Sequence, residues 1–182
     1  MPIKPSTYDA ITEAAFLTFS KTPGASLDDV AQVAGVGRAT LYRHFKNRRV
    51  LMVALARIAV AELDAAVDAA TLTAKTHGEG LKLALSAIVP LADRQWFLAN
   101  EPLHDDQKLA ETYQSGAQEL HREIDRARAE GVFASDVPTF WIAETFDNLV
   151  YAAWSCVKEG RATPAQAADL AWRTLISGTG GE

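Results

Sequence analysis

The sequence contains a single cysteine, Cys156, and no group of cysteines and histidines with the spacing of a zinc site. One cysteine cannot form an internal disulfide, and a structural zinc needs several such ligands. Crosslinks and structural metals are therefore excluded as sources of stability, and we expect Cys156 to act as a small buried hydrophobic residue. Folding must depend on apolar packing, for which a hydrophobic content of 48% is sufficient.

Long apolar runs are also absent from the chain. No stretch approaches the roughly 18 consecutive apolar residues that a membrane span requires. The N-terminal sequence MPIKPSTYDA contains one lysine but lacks the apolar run of a secretory signal. We therefore expect a cytoplasmic protein that has no contact with a membrane.

Dense runs of β-branched residues and internal repeats are missing, whereas apolar residues recur at helical spacing almost everywhere. This pattern predicts an all-α fold with about nine helices. Eight of them are expected at approximately residues 6–20, 27–34, 38–45, 47–72, 77–100, 105–130, 138–159 and 163–177. Proline at position 90 removes an amide donor and is expected to kink the fifth of them.

Helix starts are marked by capping residues. The pairs with capping-box spacing are Ser6 with Asp9, Ser26 with Asp29, and Thr163 with Gln166. Asn47 is the expected N-cap of the long fourth helix. These starts therefore rest on hydrogen-bonding chemistry as well as on apolar spacing.

Acidic residues are absent from residues 38–49, although the whole chain carries a net charge of -5. Residues 1–50 hold seven cations against four acids, a net charge of +3, which leaves -8 on the remainder. Five of those seven cations, together with His44, lie between Arg38 and Arg49. The overall charge opposes binding to a polyanion, but this segment provides a local cationic surface that favours it.

Two short predicted helices, 27–34 and 38–45, are joined by a tight turn with Gly35 and Gly37. This is the arrangement of a helix-turn-helix, which presents its second helix to the DNA major groove. The apolar positions expected to face inward are Val30, Ala31, Val36 and Leu41, and the donor-bearing positions expected to face outward are Arg38, Thr40, Tyr42, Arg43 and His44. From spacing alone, the alternative is a pair of ordinary bundle helices with a solvated basic face.

The residues from Ser26 to Phe45, SLDDVAQVAGVGRATLYRHF, closely resemble the signature of the TetR family of bacterial repressors. The motif covers about residues 8–55, and the later helices agree with the family's layout without a signature of their own. The chain departs from the family at Gly37, often serine there, and at Arg48, more often lysine. Either cation neutralises phosphate, and arginine can do so with two hydrogen bonds.

The resemblance implies which residues contact double-stranded DNA. By position, Arg38, Ala39 and Thr40 correspond to contacts at or near the bases. Tyr42, His44, Lys46 and Arg48 correspond to phosphate contacts, and Arg43 lies on the same outward face. An arginine fork can pair with guanine O6 and N7, so specificity is expected to depend on few side chains.

The resemblance further implies a DNA-binding domain at residues 1–50 and a ligand-binding and dimerisation domain at residues 51–182. One helix-turn-helix buries too little DNA for tight binding, so we expect a homodimer on a near-palindromic operator. The apolar stripes expected at the dimer interface are Phe146, Leu149, Val150, Ala153, Trp154 and Val157 on one helix, with Ala167, Ala171 and Leu175 on the last. The alternative is that both stripes only complete the core of one chain.

A small-molecule pocket is the least specific of these expectations. Large flat rings line apolar ligand sites, and in the family the corresponding helices surround a cavity, which suggests Trp96, Phe97, Tyr113, Phe140 and Trp141. Plain core packing is the competing interpretation for each ring. A polar stripe, Glu144, Asp147, Asn148, Tyr151, Ser155 and Lys158, either faces solvent or places a buried acid against a cationic ligand.

The function expected from the sequence is that of a transcriptional regulator, a repressor released from its operator when a small molecule binds the C-terminal domain. The alternative is a regulator without a small-molecule ligand, acting constitutively or through a protein partner. No nucleophile and base pair, phosphate loop or metal constellation indicates an enzyme. Glu101, His104, Asp105 and Asp106 cluster near a helix break, but surface acids with one histidine are more typical of a loop, and we expect no metal or other cofactor.

Overall fold

The computed structural model describes residues 6–92, 94–95 and 106–181. These residues form eight α-helices, namely α1 (Thr7–Lys21), α2 (Leu27–Val33), α3 (Arg38–His44), α4 (Arg48–Thr71), α5 (His77–Ile88), α6 (Gln107–Ala129), α7 (Thr139–Lys158) and α8 (Pro164–Thr179). Within the described part of the chain there is no strand beyond one isolated bridge between Phe133 and Gly180. The predicted all-α fold is confirmed.

The helix starts follow the capping chemistry of the sequence. Capping boxes form at all three predicted pairs, Ser6 with Asp9, Ser26 with Asp29, and Thr163 with Gln166. The Asn47 side chain accepts a hydrogen bond of 2.9 Å from the Val50 amide at the start of α4. Because each cap satisfies an amide that the helix leaves unpaired, these starts lie where the sequence predicts them.

The turn between α2 and α3 depends on Gly35, which has a φ of 66°. Residues with a Cβ rarely adopt this left-handed conformation, whereas glycine does so at little cost. The Val36 amide then donates to the Ala31 carbonyl at 3.0 Å, which closes the end of α2. The turn is therefore fixed by local geometry and sets the angle at which α3 leaves α2.

Two helix boundaries differ from the prediction. Helix α5 ends at Ile88, and Pro90 lies in a short 3-10 turn, Val89–Leu91, since proline cannot donate the next helical hydrogen bond. Helix α8 continues to Thr179, two residues beyond the expected end. The loop after α6 supports this extension, because the Ala134 amide donates to the Thr179 carbonyl at 2.9 Å.

Two apolar cores lie along the molecule. The first packs α1, α2 and α3 against the first half of α4, with Ile11, Phe19, Leu41, Phe45 and Leu51 all at most 2% exposed. The second packs α5, α6, α7 and α8 around Leu85, Ile124, Ile142 and Leu175, each with no exposed surface. Helix α4 extends from the first core toward the second, and it contributes residues as far as Ala59 to the first. None of the described helices is long and apolar enough to cross a membrane.

Candidate nucleic-acid interface and effector region

The candidate DNA-binding surface is the outer side of α3, and the opposite side of that helix is buried. Leu41 and Phe45 lie in the first core against Val30 and Ala31 of α2, and all four are at most 3% exposed. Because these residues fix the inner face, the remaining positions of α3 must point away from the core. The inward positions predicted from the sequence are confirmed for Val30, Ala31 and Leu41, while Val36 is partly buried.

The outward positions lie where the sequence places them. Exposed residues on this face are Arg38, Ala39, Tyr42, Arg43, His44 and Lys46, and Thr40 is half-buried. No side chain caps the start of α3, because Gly37 occupies the N-cap position. The result is a helix whose first turn and outer side carry hydrogen-bond donors, next to the cationic residues at the start of α4. This surface matches the charge and donor pattern that a duplex requires.

Arg38 is engaged by an acid of the neighbouring helix. Its Nη2 atom lies 2.9 Å from Oδ2 of Asp28, which is in the first turn of α2. The Arg38 side chain remains 75% exposed, whereas that of Asp28 is 35% exposed. The sequence offered no sign of this pair, since the two residues are ten positions apart on different helices.

His44 and Phe45 make ring contacts with α1. The Tyr8 ring centroid lies 5.3 Å from that of Phe45 and 6.4 Å from that of His44. Tyr8 is 38% exposed and covers the edge of the core. The ring contacts therefore link the start of α1 to the end of the recognition helix.

Arg48, which is predicted to contact a phosphate, also makes contacts within the chain. Its Nη1 atom donates to the Ala25 carbonyl and its Nη2 atom to the Pro23 carbonyl, both at 2.7 Å. The guanidinium carbon also lies 4.1 Å from the centre of the Phe19 ring. Both terminal nitrogens thus bind the loop between α1 and α2, so Arg48 ties α4 to that loop. Residue type alone could not indicate this, because the acceptors are backbone atoms.

Six of the residues predicted at the dimer interface lie in the chain's own second core, and three of these, Ala153, Ala167 and Ala171, also line a groove at its surface. Phe146, Val150, Ala153, Ala167, Ala171 and Leu175 are at most 6% exposed, because α7 and α8 pack against each other and against α5. A residue that its own chain already covers has little surface left for a partner. Leu149, Trp154 and Val157 are partly buried, and the Trp154 indole donates to the Ile88 carbonyl at 3.2 Å.

Beside these buried residues, α7 and α8 form a shallow apolar groove of about 160 Å³. Its lining includes Leu149, Ala152, Cys156, Leu170 and Thr174. Leu170 is 55% exposed, and Cys156 is half-buried rather than fully enclosed as expected. The groove therefore includes four residues of the predicted dimer set, Leu149, Ala153, Ala167 and Ala171, together with neighbours that the prediction did not name.

The predicted pocket residues are only partly within the described chain. Trp96 and Phe97 lie outside the described residues. Tyr113, Phe140 and Trp141 are 48%, 60% and 58% exposed, so the described residues do not enclose these rings. Their expected packing into a closed apolar cavity is therefore not found in this part of the chain. Glu101, His104 and Asp105 also lie outside it, and among the described residues no group of side chains suits a metal ion.

The polar stripe of α7 contains one perturbed acid. Partial burial of its carboxylate, together with the negative charge of Glu144, raises the pKa of Asp147 to about 6. His121 lowers this pKa by a smaller amount. The residue keeps solvent-exposed surface, so water still screens part of the charge of this carboxylate. Asp147 forms no ion pair with any described residue. The other members of the stripe are exposed, apart from Ser155, which is half-buried.

A more polar cavity of about 420 Å³ lies between the end of α4, the start of α5 and α6. His77 Nδ1 is 2.8 Å from a Glu123 oxygen, and the His77 and Gly78 amides donate to the Glu130 carboxylate at 2.9 and 3.0 Å. These amide bonds lower the pKa of Glu130. Its carboxylate therefore holds the first turn of α5 against the end of α6, a contact that the sequence did not predict.

Polar contacts also join the C-terminal helices to the N-terminal unit. Arg94 binds Glu13 of α1 at 2.8 Å and Glu62 of α4, and its guanidinium carbon lies 4.9 Å from the Phe16 ring centre. Arg57 of α4 pairs with Asp106, the N-cap of α6, at 3.2 Å. Movements of α6 and of the chain around Arg94 are thereby connected to α1 and α4.

The chain is similar to known bacterial regulatory proteins. Residues 11–55 match a family model described as bacterial regulatory proteins, tetR family. The chain is 30% identical over 170 residues, covering 93% of this chain and 88% of the relative, to the HTH-type transcriptional repressor LfrR of Mycolicibacterium smegmatis. The structure of ketosteroid transcriptional regulator KstR2 of Mycobacterium tuberculosis has the same fold, with a TM-score of 0.79 at 16% identity, covering 99% of this chain and 98% of that one.

Two crystal structures of LfrR, described as a TetR-like regulator from Mycobacterium smegmatis, align over most of the chain. The complex with proflavine gives a TM-score of 0.80 at 29% identity, covering 94% of this chain and 95% of that one. A second structure of the same regulator gives a TM-score of 0.65 at 27% identity, covering 93% and 97%.

Proposed function

Because this chain belongs to the TetR family of bacterial regulatory proteins and is a DNA-binding transcriptional regulator rather than an enzyme, we propose that it is an effector-released repressor. In this proposal a homodimer binds a near-palindromic operator in the bacterial cytoplasm and leaves it when a small molecule binds. Residues 1–50 supply the DNA contacts, and residues 51–182 supply the dimer and effector surfaces. The observation that carries the proposal is the exposed, donor-rich outer face of α3 on a buried apolar inner face.

DNA recognition is assigned to that face. Arg38, at the first position of α3, is 75% exposed and able to reach base edges, with Ala39 and Thr40 beside it. Tyr42, Arg43, His44 and Lys46 are assigned to the phosphates, which fix the register of the helix without reading sequence. Arg48 is assigned to holding the loop between α1 and α2, because its two terminal nitrogens already donate to carbonyls of that loop.

The dimer is assigned to the exposed apolar side of α7 and α8. The groove lined by Leu149, Ala152, Cys156, Leu170 and Thr174 is shallow and apolar, which suits a helix of a second chain. Leu170 supports this choice because a leucine that is 55% exposed beside small residues offers an anchor for a partner helix.

Dimer formation is tested by analytical ultracentrifugation of the Leu170→Arg variant. A guanidinium placed in the groove should oppose burial, so the variant is expected to sediment as a monomer. Leu72→Arg is the matched control, because Leu72 is 83% exposed at the end of α4 and far from the groove in sequence. A Leu170→Arg protein that stays dimeric at the same concentrations as the control would remove this surface from the proposal.

The effector is proposed to be a flat aromatic cation. LfrR was crystallised in complex with proflavine, a fused-ring dye that is cationic at neutral pH. In this chain Asp147 provides a partly desolvated carboxylate without an ion-pair partner among the described residues. The exposed rings of Tyr113, Phe140 and Trp141 supply stacking surfaces, and Trp96 and Phe97 are retained as members of the same site by the sequence argument.

Release of DNA requires that the effector prefer one of two conformations. In this chain the contacts of Arg94 with Glu13 and Glu62 connect the effector side to α1 and α4. A regulator without a small-molecule ligand remains the second candidate, favoured by the absence of an enclosed apolar cavity around the described rings.

The test combines selection of DNA with release by a dye. The purified chain selects duplexes from a random pool, and proflavine is then titrated into the complex with the best duplex while bound DNA is measured by filter retention. Flat dyes also stack between base pairs, so the matched control is Asp147→Asn, which keeps the DNA surface intact. Release of wild type with retention of the variant is expected. Equal release of both proteins would attribute the effect to the DNA and favour the regulator without an effector.

A further inference from the structure

The ion pair between Arg38 of α3 and Asp28 of α2 joins the two helices of the recognition unit. Nη2 of Arg38 lies 2.9 Å from Oδ2 of Asp28. We propose that Asp28 is a specificity-determining positioning residue, which holds one edge of the Arg38 guanidinium so that the rest of the fork meets a single base. This inference rests on the proposed function, in which Arg38 reads a base of the operator.

The surroundings of the Asp28 carboxylate favour its ion pair with Arg38. Its second oxygen, Oδ1, is buried and accepts no hydrogen bond from the described residues. The side chain as a whole is only 35% exposed. Removing the guanidinium would leave a partly buried negative charge with neither a counterion nor full hydration, which is unfavourable. The pair is therefore expected to persist when the protein binds DNA.

Holding one edge of the guanidinium changes what Arg38 can recognise. An unrestrained arginine on an exposed surface can turn toward any nearby phosphate, and a phosphate contact carries no sequence information. With Nη2 bound to Asp28, the remaining donors keep the fixed geometry of the fork. That geometry matches two adjacent acceptors, such as O6 and N7 of guanine, better than a single phosphate oxygen.

The negative charge of Asp28 acts in the opposite direction on DNA of arbitrary sequence. It lies beside the cationic surface and reduces its attraction for phosphates. Neutralising Asp28 should therefore strengthen binding to non-specific DNA while weakening preference for one base. Loss of a contact that only stabilises the fold would weaken specific and non-specific binding alike. Opposite changes in the two therefore show that Asp28 positions Arg38.

The experiment compares full-length wild type with Asp28→Asn, Arg38→Ala and the double variant. Each protein selects from a random duplex pool, and its affinity for one fixed, unselected duplex is measured against salt. A good bidentate base contact discriminates about 5- to 150-fold. We expect Arg38→Ala to lose that preference at one position in each half-site, and Asp28→Asn to lose about 5- to 10-fold of it there while binding the unselected duplex more tightly. In the Arg38→Ala background, Asp28→Asn should change no base preference.

Asp28→Glu provides the second variant, because it keeps the charge but moves the carboxylate by one methylene group. It should weaken the same base preference and leave affinity for the unselected duplex unchanged. Thermal unfolding and the preferences at all other positions serve as controls for folding. If Arg38→Ala keeps every preference, the proposed base contact itself fails. If Arg38→Ala loses one preference but Asp28→Asn retains it, only the role of Asp28 is overturned.

Discussion

The N-terminal and C-terminal parts of this chain differ in how well the described residues define a candidate binding surface. In the N-terminal unit, the buried inner face of α3 leaves its outer face fixed, and the donor-bearing side chains lie on that outer face, with only Thr40 half-buried. In the C-terminal unit, three candidate effector rings are exposed without an enclosing wall, and six candidate dimer residues are covered by their own chain. A rigid scaffold and a short motif define a DNA surface, whereas a ligand site depends on how several distant helices meet.

The largest effect is expected from a change in the buried residues that support α3. Phe45→Ala removes a ring that is 2% exposed in the first core and is expected to lower the free energy of unfolding by about 3 to 5 kcal/mol, with loss of DNA binding. Chemical denaturation measures this change. Tyr42→Ala, three positions earlier and 45% exposed, is the control and should leave the unfolding free energy within about 0.5 kcal/mol of wild type. Similar losses for both variants would mean that α3 has no defined inner face.

A smaller loss is expected at the start of α4. Arg48→Ala removes two hydrogen bonds from a charged group to the Pro23 and Ala25 carbonyls, each worth about 1.5 to 3 kcal/mol at most in a buried setting. Because Arg48 is half-buried, we expect the lower end of that range for the unfolding free energy. Affinity for DNA should fall without any change in its dependence on salt. If the DNA affinity of the variant depends less steeply on salt than that of wild type, Arg48 contacts a phosphate.

Lys46→Ala is the matched test of a phosphate contact. Lys46 is exposed beside Arg48, so its removal should leave the unfolding free energy unchanged. The slope of log affinity against log salt should decrease by about 1 for each chain of the dimer. Isotherms at several sodium chloride concentrations measure that slope. An unchanged slope would show that the cationic surface does not face the duplex at this point.

The smallest expected effect is the pH dependence that Asp147 gives to the proposed effector region. Its pKa is raised to about 6, so the carboxylate is charged at neutral pH and becomes neutral as the pH falls below that value. Affinity for proflavine, measured by fluorescence without DNA, should therefore weaken between about pH 7 and pH 5. Asp147→Asn should bind more weakly at pH 7 and lose this dependence. Because the raised pKa favours the protonated folded state, wild type should also gain stability, relative to the variant, as the pH falls through the same interval.

Features with local causes were predictable from the sequence. Capping pairs such as Ser26 with Asp29, and the turn at Gly35, are set by neighbouring residues, so α2 and α3 begin and end within a residue of their predicted bounds. The outward face of α3 follows from the burial of Leu41, which apolar spacing already indicated. For this reason helical spacing and a short motif were enough to predict both the fold class and the residues of α3 that face outward.

Features that depend on distant contacts were not predictable in the same way. Arg48 looks like a phosphate contact by type, but its partners are backbone carbonyls that carry no sequence signal. On α7, apolar spacing correctly marked a buried face but could not tell whether the same chain or a second chain covers it. Phe146 and Val150 are covered by the same chain, and their neighbour Leu149 is left at the groove.

The length of α4 has a mechanical consequence. With 24 residues, this helix extends about 36 Å, since each residue adds about 1.5 Å along the axis. A tilt of about 5° at its α5 end would move the opposite end by about 3 Å, roughly the rise of one base pair in a helical turn of about 34 Å. In the proposed dimer, a movement of this size would change the separation of the two α3 helices relative to successive major grooves without unpacking either core.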